Sequence, residues 1–416
     1  MDYLSKKSLL TCSLLFLTLI VLPQNRSLEY YIDAGIKNSP LLADLKNQLA
    51  SSTVDSLIVR AERKPQIEGR SQALYSPSYH NFGYDEVVTD GGNYQAVAAV
   101  TQNIFNRKDL ENRLQALEIQ KQSVGNNVRL SIADLKKTIT DQYITSYSDL
   151  YDLQFNHSFL ELMNHENELV KQFVISGIAS QSDYLALQVE TQGQQVLVNQ
   201  LKTQFYKDLS LMNQLCGLED TVAYELQEPQ IDISSSSEAA LSPFFRQFII
   251  DSMKLVNERI ALDVKYRPRV NWFADAGALS SRPDNIYRHF GYSVGASLSV
   301  PIYDGQQKNL ELRKLSISTN TISSYRSTYR KKYDQMLFQL NDELKGTESI
   351  KAQIRKQLET ADQLVSSLKA QLEAGQVKMT DYVNAIKNYR NINRNLNLVN
   401  IRMFQIRNEI SYLLTR

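Results

Sequence analysis

The chain is poor in residues that carry out chemistry. It has two cysteines, four histidines and one tryptophan in 416 residues, and its formal charge is only +1. Two cysteines exclude a disulfide-stapled scaffold. A near-neutral chain without a basic block or a basic-aromatic patch excludes nucleic acid as a partner. His157, Glu161 and His165 stand at four-residue steps and imitate a helical metal site. No further ligand surrounds them, so the spacing reads as a solvated helix face and no metal is assigned. No glycine-rich phosphate loop and no nucleophile arrangement is visible, so the expectation is a non-enzyme without a cofactor. Beyond the N-terminus, no hydrophobic stretch approaches the roughly 20 residues that a bilayer-spanning helix needs.

The one strongly apolar run lies at the start. Lys6 and Lys7 precede Leu9 to Leu22, and Pro23-Gln24-Asn25 follow. This is the layout of a signal peptide, assigned to residues 1–27, and the run is short for a membrane anchor. Cys12 falls inside it behind Leu9-Leu10-Thr11, a faint imitation of a lipidation box with too little hydrophobic sequence before it. Once the leader is removed, Cys216 stands alone and reads as a small buried hydrophobe.

What is present is said twice, 198 residues apart. Asn103-Ile104-Phe105-Asn106 matches Pro301-Ile302-Tyr303-Asp304, and Gly177, Asp183 and Tyr184 recur as Gly375, Asp381 and Tyr382. One offset held by two landmarks indicates duplicated units. The organisation expected is a first repeat over 28–217, an equatorial connector over 218–240 and a second repeat over 241–416.

In the first repeat, helix is predicted from Leu28 to about Glu62, interrupted at Ser39-Pro40. Strands follow at Ile67 to Tyr75 and Tyr94 to Asn103, joined by an exposed connection that contains Gly91 and Gly92. From Arg107 to about Val174 there is no proline, and Leu110, Leu114, Leu117, Val124, Val128, Ile132, Leu135, Ile139 and Tyr143 recur at helical steps. A 68-residue helix spans roughly 100 Å, which argues for coiled-coil packing over a compact core. Gly177 ends it, and Ser180, Ser182 or Asp183 caps a returning helix with the stripe Leu185, Val189, Val196, Leu201 and Phe205.

The second repeat reads alike. Helix from Phe244 to Lys265 precedes two strands, in which Val270, Trp272, Ala274, Ala276 and Ala278, then Tyr292, Val294, Ala296, Leu298 and Val300, take one face. A nine-residue strand with one apolar and one small-polar face matches a tilted membrane-barrel strand, and taken alone it also matches an edge or surface strand of a soluble sandwich. Four strands cannot close a barrel, and open edges cannot stay exposed in hydrocarbon, so membrane-spanning strands here require several chains. Asp304 caps a second long helix from Gly305 to about Leu372, Gly375 turns it, and Asp381 opens the last helix.

With these features in order, the sequence resembles the TolC-like outer-membrane efflux proteins. The resemblance rests on Asn38-Ser39-Pro40-Leu41-Leu42, Lys64-Pro65, Arg267-Pro268, the junctions at Gln102 to Asn106 and Val300 to Gly305, and the two Gly-x5-Asp-Tyr turns. It implies a mixed α and β fold, a long α-helical barrel joined to a transmembrane β-barrel shared between chains, four strands per chain. It further implies a homotrimer in outer-membrane lipid with a long periplasmic extension, working with a periplasmic adaptor protein and an inner-membrane transporter. The implied function is a passive exit duct for small molecules such as drugs or toxic compounds. The alternatives are metal-ion efflux, type I protein secretion, or a non-conducting periplasmic coiled-coil scaffold.

The resemblance also assigns roles to residues. Asp381 and Asn384 mark the pore constriction, where Asn384 stands at a position that in the family can carry a second aspartate. Gly177, Asp183, Tyr184, Gly375, Asp381 and Tyr382 form the periplasmic tip where an adaptor docks. Phe105, Asn106, Pro301, Tyr303, Asp304 and Gly305 are the strand-helix junctions. Asp183 is read chiefly as a helix cap and Asp381 as either cap or pore group, while both tyrosines are read as packing the turn.

Overall fold

The computed structural model describes residues 26–77, 83, 85, 91–104, 107–177, 179–220, 225–233 and 242–415. The leader, Cys12, His80 and the junction residues Phe105 and Asn106 lie outside them. The elements run in the order α1 (Leu28–Asn38), α2 (Pro40–Ala61), β1 (Gln66–Ser76), β2 (Gly91–Ile104), α3 (Arg107–Ile175) and α4 (Gln181–Leu215). After the connector come α5 (Pro243–Lys265), β3 (Arg269–Ser280), β4 (Phe290–Ser299), α6 (Gln307–Glu373) and α7 (Met379–Leu413). The two long helices have 69 and 67 residues, and α4 and α7 have 35 each.

Local chemistry explains where helices begin and end. The Ser39 hydroxyl accepts the Leu42 N–H at 3.4 Å while Pro40 occupies the first turn, where its missing N–H costs nothing. Gly375 takes φ +71°, and the pair Gly375 N–H to Leu372 O and Gln376 N–H to Gln371 O closes α6 in a Schellman turn. Gly217 ends α4 the same way, at φ +62°.

Two compact units divide the chain, each drawing on both sequence halves. The first comprises 1–34, 139–230 and 354–401; the second comprises 35–138, 231–353 and 402–416. In the first unit, Phe159, Met163, Val170, Leu187, Met379, Tyr382 and Ile386 make one core. Arg26, at its other chain segment, ion-pairs with Asp220 at 2.6 Å, and the Tyr143 hydroxyl lies 2.7 Å from the Gln227 carbonyl and 3.0 Å from that of Arg26. Cys216 is fully buried, and burial pushes its thiol up to about 11, so it stays protonated.

The second unit has a core of Phe245, Tyr333, Leu340, Ile406, Ile410 and Leu413, and another where Leu42 and Leu45 of α2 meet Val124 of α3. Buried amides fix the register of α3 on α5. Asn112 Nδ2 donates to both the carbonyl and the Oδ1 of Asn257 at 2.9 Å, and Asn257 Nδ2 returns a bond to the Asn112 carbonyl at 3.3 Å. Satisfied reciprocally, neither amide bears the cost of an unpaired buried donor.

All four strands belong to a single antiparallel sheet ordered β1-β2-β3-β4, so β2 of the first half pairs with β3 of the second. Gly91 and Gly92, expected in the connection, are instead the first rungs of β2 opposite Ser76 and Tyr75. A Cβ on Gly92 would crowd the Leu74 carbonyl at 2.8 Å, so its lack of a side chain is what admits the pairing.

Candidate functional site

Two places concentrate the sequence-predicted residues: the sheet with its junctions in the second unit, and the pair of helical turns in the first.

Register converts each strand's alternation into two sheet faces. One face carries Ile67, Ala73 and Tyr75 of β1, then Ala96, Ala98, Val100 and Ile104 of β2. It continues with Val270, Trp272, Ala274 and Ala276 of β3, then Phe290, Tyr292, Val294 and Leu298 of β4. The opposite face carries Glu68, Arg70, Gln72, Gln95, Asn271, Asp275, Ser293, Ser297 and Ser299, with Leu74, Val97, Ala99, Phe273 and Leu279 interspersed. The apolar face is open, with Tyr292 at 85% and Val294 at 73% exposure. Its one long polar side chain, Gln102, accepts a hydrogen bond from Trp272 Nε1 at 3.0 Å. On the polar face the Phe273 ring lies over Gly295 and occupies the space a Cβ would need, and Ser293 Oγ donates to Asp275 at 2.8 Å. β1 and β4 are the edges, each with one side unpaired among the described residues.

At the junction, Asp304 accepts the Lys308 N–H at 2.9 Å and caps α6 as expected. The Lys308 N–H and the Tyr266 hydroxyl hold its carboxyl below the usual carboxylate range, while the Asp304 hydrogen bond pushes the Tyr266 phenol up to about 12. Gly305 and then Gln306 both take positive φ, 63° and 66°, to turn the chain into the helix. Pro301 and Tyr303 are exposed just before it.

The two turns differ more than their repeat implies. Before α4, Ser180 Oγ accepts the Asp183 N–H at 3.1 Å while Asp183 Oδ2 accepts the Ser180 N–H at 3.2 Å, a reciprocal capping box. Asp183 is therefore a cap partner. At the equivalent position before α7 stands Lys378, whose side chain accepts nothing. The Asp381 N–H bonds the Lys378 carbonyl at 3.1 Å, and its exposed carboxylate has no side-chain partner among the described residues. Asn384, one turn on, shares that exposed face, whereas Tyr382, Ala385 and Ile386 face the core. Gly375 and Asp183 line a common cavity of about 330 Å³ with Phe173, Leu372 and Met379. Gly177 turns at φ +76°.

Tyr382 is 1% exposed and packs the turn, as expected, with Tyr184 partly buried against the same core. Its hydroxyl donates to Glu166, and burial, then that carboxylate's charge, hold the phenol well above its ordinary value. Lys369 Nζ meets the same Glu166 at 2.7 Å. Nearby, Lys387 pairs with Glu190 at 2.5 Å and Arg390 donates to Gln194 at 2.8 Å, tying α7 to α4. Sequence reasoning passed over this network. The available signal was Glu166 itself, which sits in the stripe Phe159, Met163, Glu166, Val170 where an apolar residue belongs.

The stripe expected on α4 holds at Phe205 and is corrected in its first half. Leu185, Val189 and Val196 are exposed at 49%, 67% and 56%, and the face that packs inside the chain is Leu187, Thr191, Gln194, Val198 and Phe205. The helix has two apolar edges, and the more regular one in sequence is not the one its own chain covers. His157 Nδ1 lies 3.5 Å from Glu161 on an exposed helix face.

No protein-family model matches the sequence, and no curated protein matches it. Solved structures do. The outer-membrane channel OprN aligns at TM-score 0.75 and 13% identity, over 94% of this chain and 90% of that one. VceC of Vibrio cholerae aligns at 0.73 and 12%, over 92% and 94%, and the Neisseria gonorrhoeae MtrE channel at 0.72 and 12%, over 93% and 88%. Near-complete coverage in both directions, together with a four-stranded sheet and two very long helices in this chain, means that the chain has the TolC-like fold.

Proposed function

We propose that the chain is one of three identical subunits of a passive duct through an outer membrane, and that it exports small molecules such as drugs or toxic compounds. The observation that carries this is the sheet. Its apolar face is open across all four strands, its other face is mainly polar, and both edges lack partners among the described residues. Hydrocarbon tolerates no open edge, so such a sheet spans a membrane only when other copies continue it. Three copies supply twelve strands with the apolar faces outward and the polar faces around a water-filled lumen. No described helix is long and apolar enough to cross a membrane. Tyr75, Tyr94, Phe290 and Tyr292 gather at the loop end of the apolar face and Trp272 near its foot, the places where aromatic girdles stand.

The exposed apolar positions of the helices fit the same reading. Leu185, Val189 and Val196 on α4, and Leu310, Ile317 and Phe338 on α6, need cover that neighbouring subunits would give. OprN, CmeC of Campylobacter jejuni and MtrE are each described as outer-membrane channels. In this reading the halves 28–217 and 241–416 are duplicated units and the turns at Gly177 and Gly375 meet a periplasmic adaptor. An inner-membrane transporter supplies energy and cargo. In the same reading residues 1–27 are the leader, from their charge and hydrophobic pattern. The test is planar-bilayer recording of the purified, cross-linked oligomer. Discrete conductance from a trimer is expected; trimers that never conduct would reduce the chain to a scaffold.

A further inference from the structure

At the foot of the sheet, within the second unit, lies a cavity of about 350 Å³ for which passage through a duct gives no role. Its charged lining is Arg113, Arg267, Arg269 and Asp109, an excess of positive charge. Arg113 is committed to Glu62 at 2.6 Å. Arg267 and Arg269 have no carboxylate partner among the described residues, and Arg269 gives one N–H to the Lys265 carbonyl at 3.3 Å. Asn103 and Asn271, paired across β2 and β3, add amides to the wall. The first turn of α3, with its positive dipole end, also reaches the cavity through Asp109. Donors and positive charge thus converge with one opposing carboxylate.

We infer that this cavity binds a phosphate group, with Arg267 and Arg269 as its principal ligands. Guanidinium forks match phosphate oxygens in both charge and geometry, and neither fork is neutralised by a carboxylate among the described residues. The position names the sources. Ile104 and Val270, which line the cavity, pair with each other at the end of the apolar face, and Trp272 follows Val270 on that face. If the sheet spans a membrane, as proposed above, this is the level of lipid headgroups, where tryptophan concentrates. The phosphate belongs either to a phospholipid headgroup or to a soluble anion passing the foot of the sheet; the recognition chemistry is common to both.

The experiment uses the full assembled protein in detergent, titrated with phosphatidylglycerol by native mass spectrometry and with inorganic phosphate by calorimetry. Saturable binding of up to one phosphate per chain is expected. It should weaken at least tenfold in R267A/R269A and tighten severalfold in D109N, a gain that misfolding cannot imitate. Retention of the lipid alone assigns the site to a headgroup, and binding of inorganic phosphate with the same dependence assigns it to a soluble anion. If neither probe binds, or neither variant alters binding, the inference is overturned. Conductance of the same wild-type preparation reports separately on the duct, so the failure of one reading is not mistaken for failure of the other.

Discussion

Lys369 Nζ on α6 lies 2.7 Å from Glu166 Oε1 on α3, and the Glu166 side chain is only 4% exposed. The lysine and the Tyr382 hydroxyl stand where burial has removed the water from this carboxylate. Removing one partner from a buried pair costs roughly 3–5 kcal/mol, less here because Lys369 keeps about a third of its exposure. Lys369→Met should therefore lower the unfolding free energy by about 2 kcal/mol, and Lys369→Met with Glu166→Leu should recover most of it. Denaturant unfolding of the detergent-solubilised protein decides it; equal stability of wild type and Lys369→Met would show that the pair holds nothing.

A second, half-buried acid favours its protonated form. Burial, then a hydrogen bond and repulsion from Asp208, push Asp149 up to about 7, and its Oδ2 is buried without a hydrogen-bond partner among the described residues. An acid raised in the folded state contributes stability that is full below its unfolded pKa, about 4, and lost as pH climbs through about 7. Thermal stability should fall by a few degrees between pH 5 and pH 8. Asp149→Asn, a mimic of the protonated acid, should remove that slope. A slope that persists in the variant would place its origin elsewhere.

The sheet offers a sharper contrast because adjacent residues of β4 face opposite ways. Val294, opposite Ala274, belongs to the apolar face, and Ser293, opposite Asp275, belongs to the polar one. In a membrane barrel an arginine on the lipid side costs roughly 2–4 kcal/mol near the midplane, while a lumen arginine is solvated. Val294→Arg should abolish assembly into the membrane fraction. Ser293→Arg should assemble normally and shift conductance toward anions. Normal assembly of Val294→Arg would mean that this face does not meet lipid.

These cases show why some features were legible and others were not. The strand faces could be read because side chains alternate strictly, and the caps because Ser39, Gly177 and Gly375 carry local chemistry that no distant contact overrides. The join between β2 and β3 was not legible, since nothing within either strand names its neighbour across 165 residues (Ile104 to Arg269). On α4, periodicity found an apolar edge but not which one the chain itself covers, because Leu185 and Leu187 are equally apolar. Glu166 was passed over for a related reason: a charge in an apolar stripe acquires meaning only when Lys369, 203 residues away, is brought to it.

That dependence on partners also separates the two aspartates of the repeat. Asp183 is held by Ser180, whereas Lys378 in the corresponding place leaves the Asp381 carboxylate exposed on the face it shares with Asn384. If three copies of Asp381 ring the pore, they attract cations and let multivalent cations hinder passage. Asp381→Ala should weaken block by a trivalent cation at least tenfold and reduce cation preference in bilayer recordings. Asp183→Asn should leave block unchanged and instead lower stability by up to about 1 kcal/mol through the weakened cap. Should Asp183→Asn relieve the block while Asp381→Ala does not, the assignment is reversed and the capped aspartate is the one that meets the pore.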